Sequence, residues 1–138
     1  MIAVQSFRAD GTVLAAQSPV NPVLAPLPIC TNRQGGVGPC LRPVESPAIA
    51  ALDDGGFVVA WSEGIGPVVA ATDSHVRRYG ADGAPVGAPS RVASGVQPAV
   101  SGTSLGGFVL SMERFVSNTE DIFARYFDAQ AFRGSAAP

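Results

Sequence analysis

The sequence predicts an all-β fold made of antiparallel, four-stranded repeat units, β-propeller-like in kind, and three observations carry that expectation. A phrase recurs: "PAIAALDDGGFVVAW", Pro47 to Trp61, is answered fifty-one residues later by "PAVSGTSLGGFVLSM", Pro98 to Met112. The 16 Gly and 12 Pro interrupt the chain so often that no segment of ten or more residues free of them shows a helical period. Between the interruptions stand short runs of Val, Ile, Leu and aromatic residues, joined by Asp-Gly or Gly-Gly pairs that accept the positive φ of tight hairpins.

The elements follow in chain order. Residues 1–20 form half a unit, a hairpin turning at Asp10-Gly11 between Phe7 and Val13. Residues 21–46 are an insertion: Gly11 to Pro47 spans 36 residues where Gly83 to Pro98 spans 15, and both cysteines fall in the excess. Residues 47–97 are a whole unit, with strands from Ala48 to Leu52 and Phe57 to Ser62 around "DDGG", then a second hairpin turning at Asp82-Gly83 between Tyr79 and Pro85. Residues 98–138 repeat it, with Met112 in place of Trp61 and Gln130-Ala131 in place of the Asp-Gly turn. The second half occurs three times, which puts Phe7, Tyr79 and Phe127 at one position and Ala9, Ala81 and Ala129 at another.

Units of this length with four short strands have the size of propeller blades, each sheet packing face to face on the next. The Gly-His and Trp-Asp marks of WD40 blades and the spaced Tyr and Trp of kelch blades are missing. Fewer than three complete units do not close a ring of the usual four to eight blades. The chain is therefore expected to self-associate through its terminal units or to belong to a longer chain.

Composition narrows the function. All nine positive charges are Arg, with no Lys, and the net charge is −2. The arginines are scattered except for Arg77-Arg78, which argues against nucleic acid, since a phosphate-tracking surface needs a clustered positive face. No apolar run nears the roughly 18–20 residues of a membrane helix, so no membrane insertion is expected. The opening "MIAVQSFRADG" lacks the parts of a secretory signal, and Met1 is read as an initiator on an excised or internally started segment. Cys30 and Cys40 bracket a Gly-rich segment that can turn back on itself; a disulfide closing this 11-residue loop would contribute about 2.7 kcal/mol by chain entropy. We expect the oxidised pair, reduced thiols being the alternative, and with it an oxidising, extracytoplasmic compartment.

The phrases "PAIAALDDGGFVVAWSE", "HVRRYGADGAPVGAPSRV" and "SFRADGTVLAAQSPV" resemble the units of bacterial extracellular and surface repeat proteins, in which P-x-V-A-A-L-x-D-G-G-F-V-V-A-W is followed by R-R-F/Y-x-A-D-G-x-x-V-G. The resemblance covers nearly all of the chain outside the Cys-bearing segment. It implies a propeller-like repeat protein of the cell surface or exterior and carries no catalytic residues.

Candidate chemistry is sparse. "TDSHV" offers Asp73, Ser74 and His75 side by side, but neighbouring strand residues point to opposite faces and triads are assembled from separated segments. Asp53 and Asp54 lack the alternating spacing of calcium loops, and one His with two Cys is too few for a structural zinc site, so no metal and no cofactor are expected. Glu63 and Glu113 follow the second strand of each unit, and Asp73 and Asp121 precede the third; they form either a ligand rim or surface charge that protects β edges. Trp61 is expected to be core, with sugar stacking as its alternative role. The reading is a non-catalytic structural or ligand-binding module, with Trp61, Glu63, Asp73, His75, Glu113 and Asp121 as candidate contacts to a glycan or protein. Its alternatives are a carbohydrate-binding module, with Trp61, Tyr79 or Tyr126 exposed, and a hydrolase using Asp73, His75 and a Glu.

Overall fold

The computed structural model describes residues 1–21, 29–31, 36–39, 44–64, 72–116 and 119–131. Its strands are β1 (Ala3–Phe7), β2 (Val13–Pro19), β3 (Ile29–Thr31), β4 (Val37–Pro39), β5 (Val44–Ala51), β6 (Phe57–Gly64), β7 (Thr72–Tyr79), β8 (Pro85–Ser94), β9 (Val96–Gly102), β10 (Phe108–Val116) and β11 (Thr119–Phe127). Every pairing is antiparallel, in sheets β1-β2, β3-β4, β5-β6-β7-β8 and β9-β10-β11. The fold is all-β. Among the described residues no helix is long and apolar enough to cross a membrane.

The hairpins turn at the Gly-bearing stretches between the apolar runs. At "DDGG" the Leu52 N–H donates to the Gly56 carbonyl at 2.9 Å and the Gly55 N–H to the Leu52 carbonyl at 3.0 Å. The same two bonds recur at Arg8–Thr12, Gly80–Ala84 and Thr103–Gly107. In each turn the fourth residue is a glycine in the left-handed region, with φ of 83° at Gly11, 82° at Gly55, 77° at Gly83 and 76° at Gly106; a Cβ there would strain the backbone. Asp10, Asp54 and Asp82 brace three of these turns by accepting the N–H two residues on, at 2.9–3.0 Å. "DDGG" and "SLGG" are thus both hairpin turns.

Alternation along β6 and β7 decides what packs where, because successive side chains leave a strand on opposite faces. Phe57, Val59, Trp61 and Tyr79 take one face and meet Ile2, Val4 and Val20 of the β1-β2 hairpin. Val58, Ala60 and Val76, with Leu52 and Val92, take the other and meet Phe108, Leu110, Met112 and Phe127 of the β9-β10-β11 sheet. The β5–β8 sheet therefore lies between two others, each of its faces closing an apolar core in which a fully buried side chain contributes about 1.5–3 kcal/mol. Cross-strand rings reinforce both layers: Phe57 stacks on Tyr79 and Phe108 on Phe127, each pair with centroids 4.7 Å apart.

Several boundaries differ from the sequence reading. The strand β5 begins at Val44, within the 21–46 segment that the sequence marks as an insertion, and the same segment contributes the short β3-β4 hairpin. Ser46 and Gln97, each preceding a proline, hold φ of 52° and 50° beside register shifts in β5-β6 and β9-β10, so both strands carry a bulge that bends them at the same aligned position. The second unit shows three strands among the described residues rather than four, and it turns at Asp128–Ala131 without a left-handed glycine. The arrangement is a stack of sheets; a closed ring is not seen among the described residues. The Cys30–Cys40 pair lies outside the described residues, of which only the Cys30 backbone, opposite Gly38, is part.

Candidate functional site

The expected carboxylates gather at one end of the sheets, where β6 passes to β7, β8 to β9 and β10 to β11. Register sets Glu63 directly opposite Asp73, on the face that also carries Trp61 and His75. Their surroundings differ. Glu63 is buried and accepts a hydrogen bond from the Trp61 indole Nε1 at 3.4 Å. Asp73 is held by a fork from Arg91, Nε at 2.6 Å and Nη2 at 2.8 Å, and accepts the Ser94 hydroxyl at 3.0 Å. The Arg91 bonds hold the Asp73 carboxyl below the usual carboxylate range, against an opposing push from partial burial.

The three-residue run Asp73-Ser74-His75 does not converge. The Ser74 hydroxyl donates to the Gly95 carbonyl at 3.0 Å on the far side of the sheet, toward β9. His75 lies on the near side, stacked on Trp61 with centroids 5.7 Å apart, and its buried Nδ1 has no hydrogen-bond partner. Nucleophile and base would stand on opposite faces, so this run is not a Ser-His-Asp constellation.

Glu113 and Asp121 belong to the next sheet and part company there. Glu113 pairs across with Ile122, and Asp121 with Arg114, which places the two carboxylates on opposite faces. Glu113 joins Thr72, Ser94, Gly95, Val96, Arg114 and Phe115 around a cavity of about 100 Å³ at the junction of the two sheets. Gly95 alone links β8 to β9 here, its N–H donating to Thr72 at 3.0 Å. Among the described residues no group of three or more His, Cys, Asp or Glu side chains is placed to hold a metal ion.

The aromatic candidates are split as well. Trp61 is a core residue as expected and Tyr79 is buried beside it, so neither presents the exposed ring that the carbohydrate-binding alternative requires; burial pushes the Tyr79 hydroxyl above its ordinary pKa. Tyr126 is exposed. Sequence reasoning missed a further pair: Asp54 is tied by its Oδ2 to Arg78 Nη2 at 2.6 Å, and Arg78 Nη1 reaches the Ala129 carbonyl of the neighbouring sheet at 3.2 Å. The signal was present in Arg77-Arg78, since adjacent strand residues take opposite faces and Arg78 shares its face with the apolar Val76. No family model, no curated protein and no solved structure matches this chain.

Proposed function

We propose that the chain is a non-catalytic, structural repeat module of propeller type, belonging to an extracellular or surface protein of bacterial kind. One observation carries the reading: residues aligned by the internal repeat fill the same packing role in successive sheets. Val20, just past the end of β2, and Val92 in β8 each close the core beside the next sheet, Trp61 and Met112 each occupy the same inward position, and Tyr79 and Phe127 each pair with the first aromatic of the preceding strand. The candidate carboxylates add to it, because Glu63 and Asp73 are engaged by Trp61 and Arg91 rather than presented to a ligand. Glycan-array screening of the purified chain tests it against the carbohydrate-binding alternative. No glycan is expected to be retained above background; retention that Tyr126→Ala abolishes would replace the structural reading with a binding one.

An oxidising compartment goes with this reading and rests on the two cysteines and on the resemblance of the repeats. The unreduced protein is expected to have an intact mass about two daltons below that of the dithiol form, the two hydrogens lost in forming the Cys30–Cys40 bond. An unchanged mass on reduction would count against both the bond and the compartment.

A further inference from the structure

We infer that two copies of this chain associate head to tail, the outer face of β9-β10-β11 in one copy covering the Phe7 face of β1 in the next. The inference rests on the stacked-sheet reading above and extends it to an interface between molecules.

The interface already exists inside the chain. Phe7, Tyr79 and Phe127 end β1, β7 and β11 at aligned positions. Tyr79 is 1% exposed and Phe127 9%, each covered by the preceding sheet, whereas Phe7, with no preceding sheet among the described residues, is 57% exposed. The same comparison holds on the other side. In the β5–β8 sheet Val58, Ser74, Val76 and Arg78 are fully or almost fully buried beneath β9-β10-β11. Their aligned residues in β10 and β11 are Val109, Ile122, Ala124 and Tyr126, of which Ile122 is 78% and Tyr126 53% exposed. One end of the stack thus presents the face that accepts an aromatic, and the other presents the aromatic.

Two chemical details make a second copy the fitting occupant. Phe127 packs in the cluster formed by Val58, Ala60 and Val76, and the open face offers Val109, Ser111 and Ala124 at those positions, small enough to receive Phe7. The two faces differ from each other, so their contact is heterologous: it leaves one free face of each kind and propagates. A self-complementary face-to-face dimer would bring Ile122 and Tyr126 against their own copies, an arrangement with no counterpart within the chain.

Light scattering over a concentration series tests this with Phe7→Glu and Ile122→Glu, at positions 57% and 78% exposed, each variant first shown to keep the far-ultraviolet circular dichroism of the unsubstituted chain. The unsubstituted chain is expected to rise above its 14.0 kDa monomer mass with concentration and to pass the dimer. Each variant alone should stay monomeric, and an equimolar mixture should form a species of about twice the monomer mass and none larger, since one intact face of each kind remains. If Ile122→Glu changes the far-ultraviolet circular dichroism, Tyr126→Glu takes its place. An unsubstituted chain that stays monomeric, a single variant that still dimerises, or a mixture that stays monomeric would each overturn the interface. A monomeric chain that retains no glycan removes the interface and leaves the structural reading standing, whereas glycan retention removes that reading whatever the mass.

Discussion

Trp61→Ala is expected to lower the unfolding free energy by about 3–5 kcal/mol, among the largest losses that a single side chain of this protein can cause. Trp61 has no exposed surface, and its ring lies between His75 on its own sheet and the Val20 cluster of the β1-β2 hairpin. Truncation would remove that apolar burial, leave a cavity between two sheets, and take from the buried Glu63 the indole donor at 3.4 Å. Trp61→Met should cost less, because Met fills irregular space and stands at the aligned position in β10 as buried Met112. Guanidinium unfolding of the three proteins measures both effects. A loss under about 1 kcal/mol for the alanine variant would mean that the β1-β2 hairpin is not held by this residue.

What the sequence revealed of the fold was local. An Asp-Gly pair between apolar runs makes a turn almost regardless of its surroundings, and the turns at Gly11, Gly55 and Gly83 were legible for that reason. The Val- and aromatic-rich run Phe57–Trp61 was legible as a strand beside its turn, though its continuous apolar character, which serves two cores at once, gave no indication of which neighbour each face meets. The β3-β4 hairpin was not legible: strands of three residues among prolines carry too little alternation to register. Neither were the left-handed Ser46 and Gln97, since a residue before proline is ordinarily pushed to extended backbone, and only the bulge in the finished sheet turns it the other way.

The candidate site shows the same division. Alternation alone put Ser74 on the face opposite Asp73 and His75, and the structure agrees. The partners of the carboxylates were out of reach. Arg91 comes to Asp73 across a β7-β8 pairing whose register shifts between Ser74 and His75, and no spacing rule anticipates where a shifted register will place a guanidinium. The position of Glu63 at the end of its strand gives no sign of its burial or of the indole of Trp61, two residues earlier on the same face, that donates to it.

Asp54→Ala is expected to cost about 3 kcal/mol, more than its place in an otherwise ordinary hairpin turn suggests. Its side chain remains 35% exposed, but its partner Arg78 is only 2% exposed, and the pair sits where the β5–β8 sheet meets β9-β10-β11. Removing the carboxylate strands a buried guanidinium, left with the Ala129 carbonyl as a neutral acceptor for Nη1. Removing the arginine instead leaves a carboxylate that water can reach, so Arg78→Met should be milder, and Asp54→Ala combined with Arg78→Met should recover part of the loss. Asp82→Ala is the control, because Asp82 makes the same turn bond, accepting the Ala84 N–H at 2.9 Å, on an exposed hairpin. It should cost about 1 kcal/mol or less, the ordinary worth of one such hydrogen bond. Equal losses from Asp54→Ala and Asp82→Ala in chemical denaturation would show that the turn bond is all Asp54 contributes, and that Arg78 does not depend on its charge to lie between the two sheets.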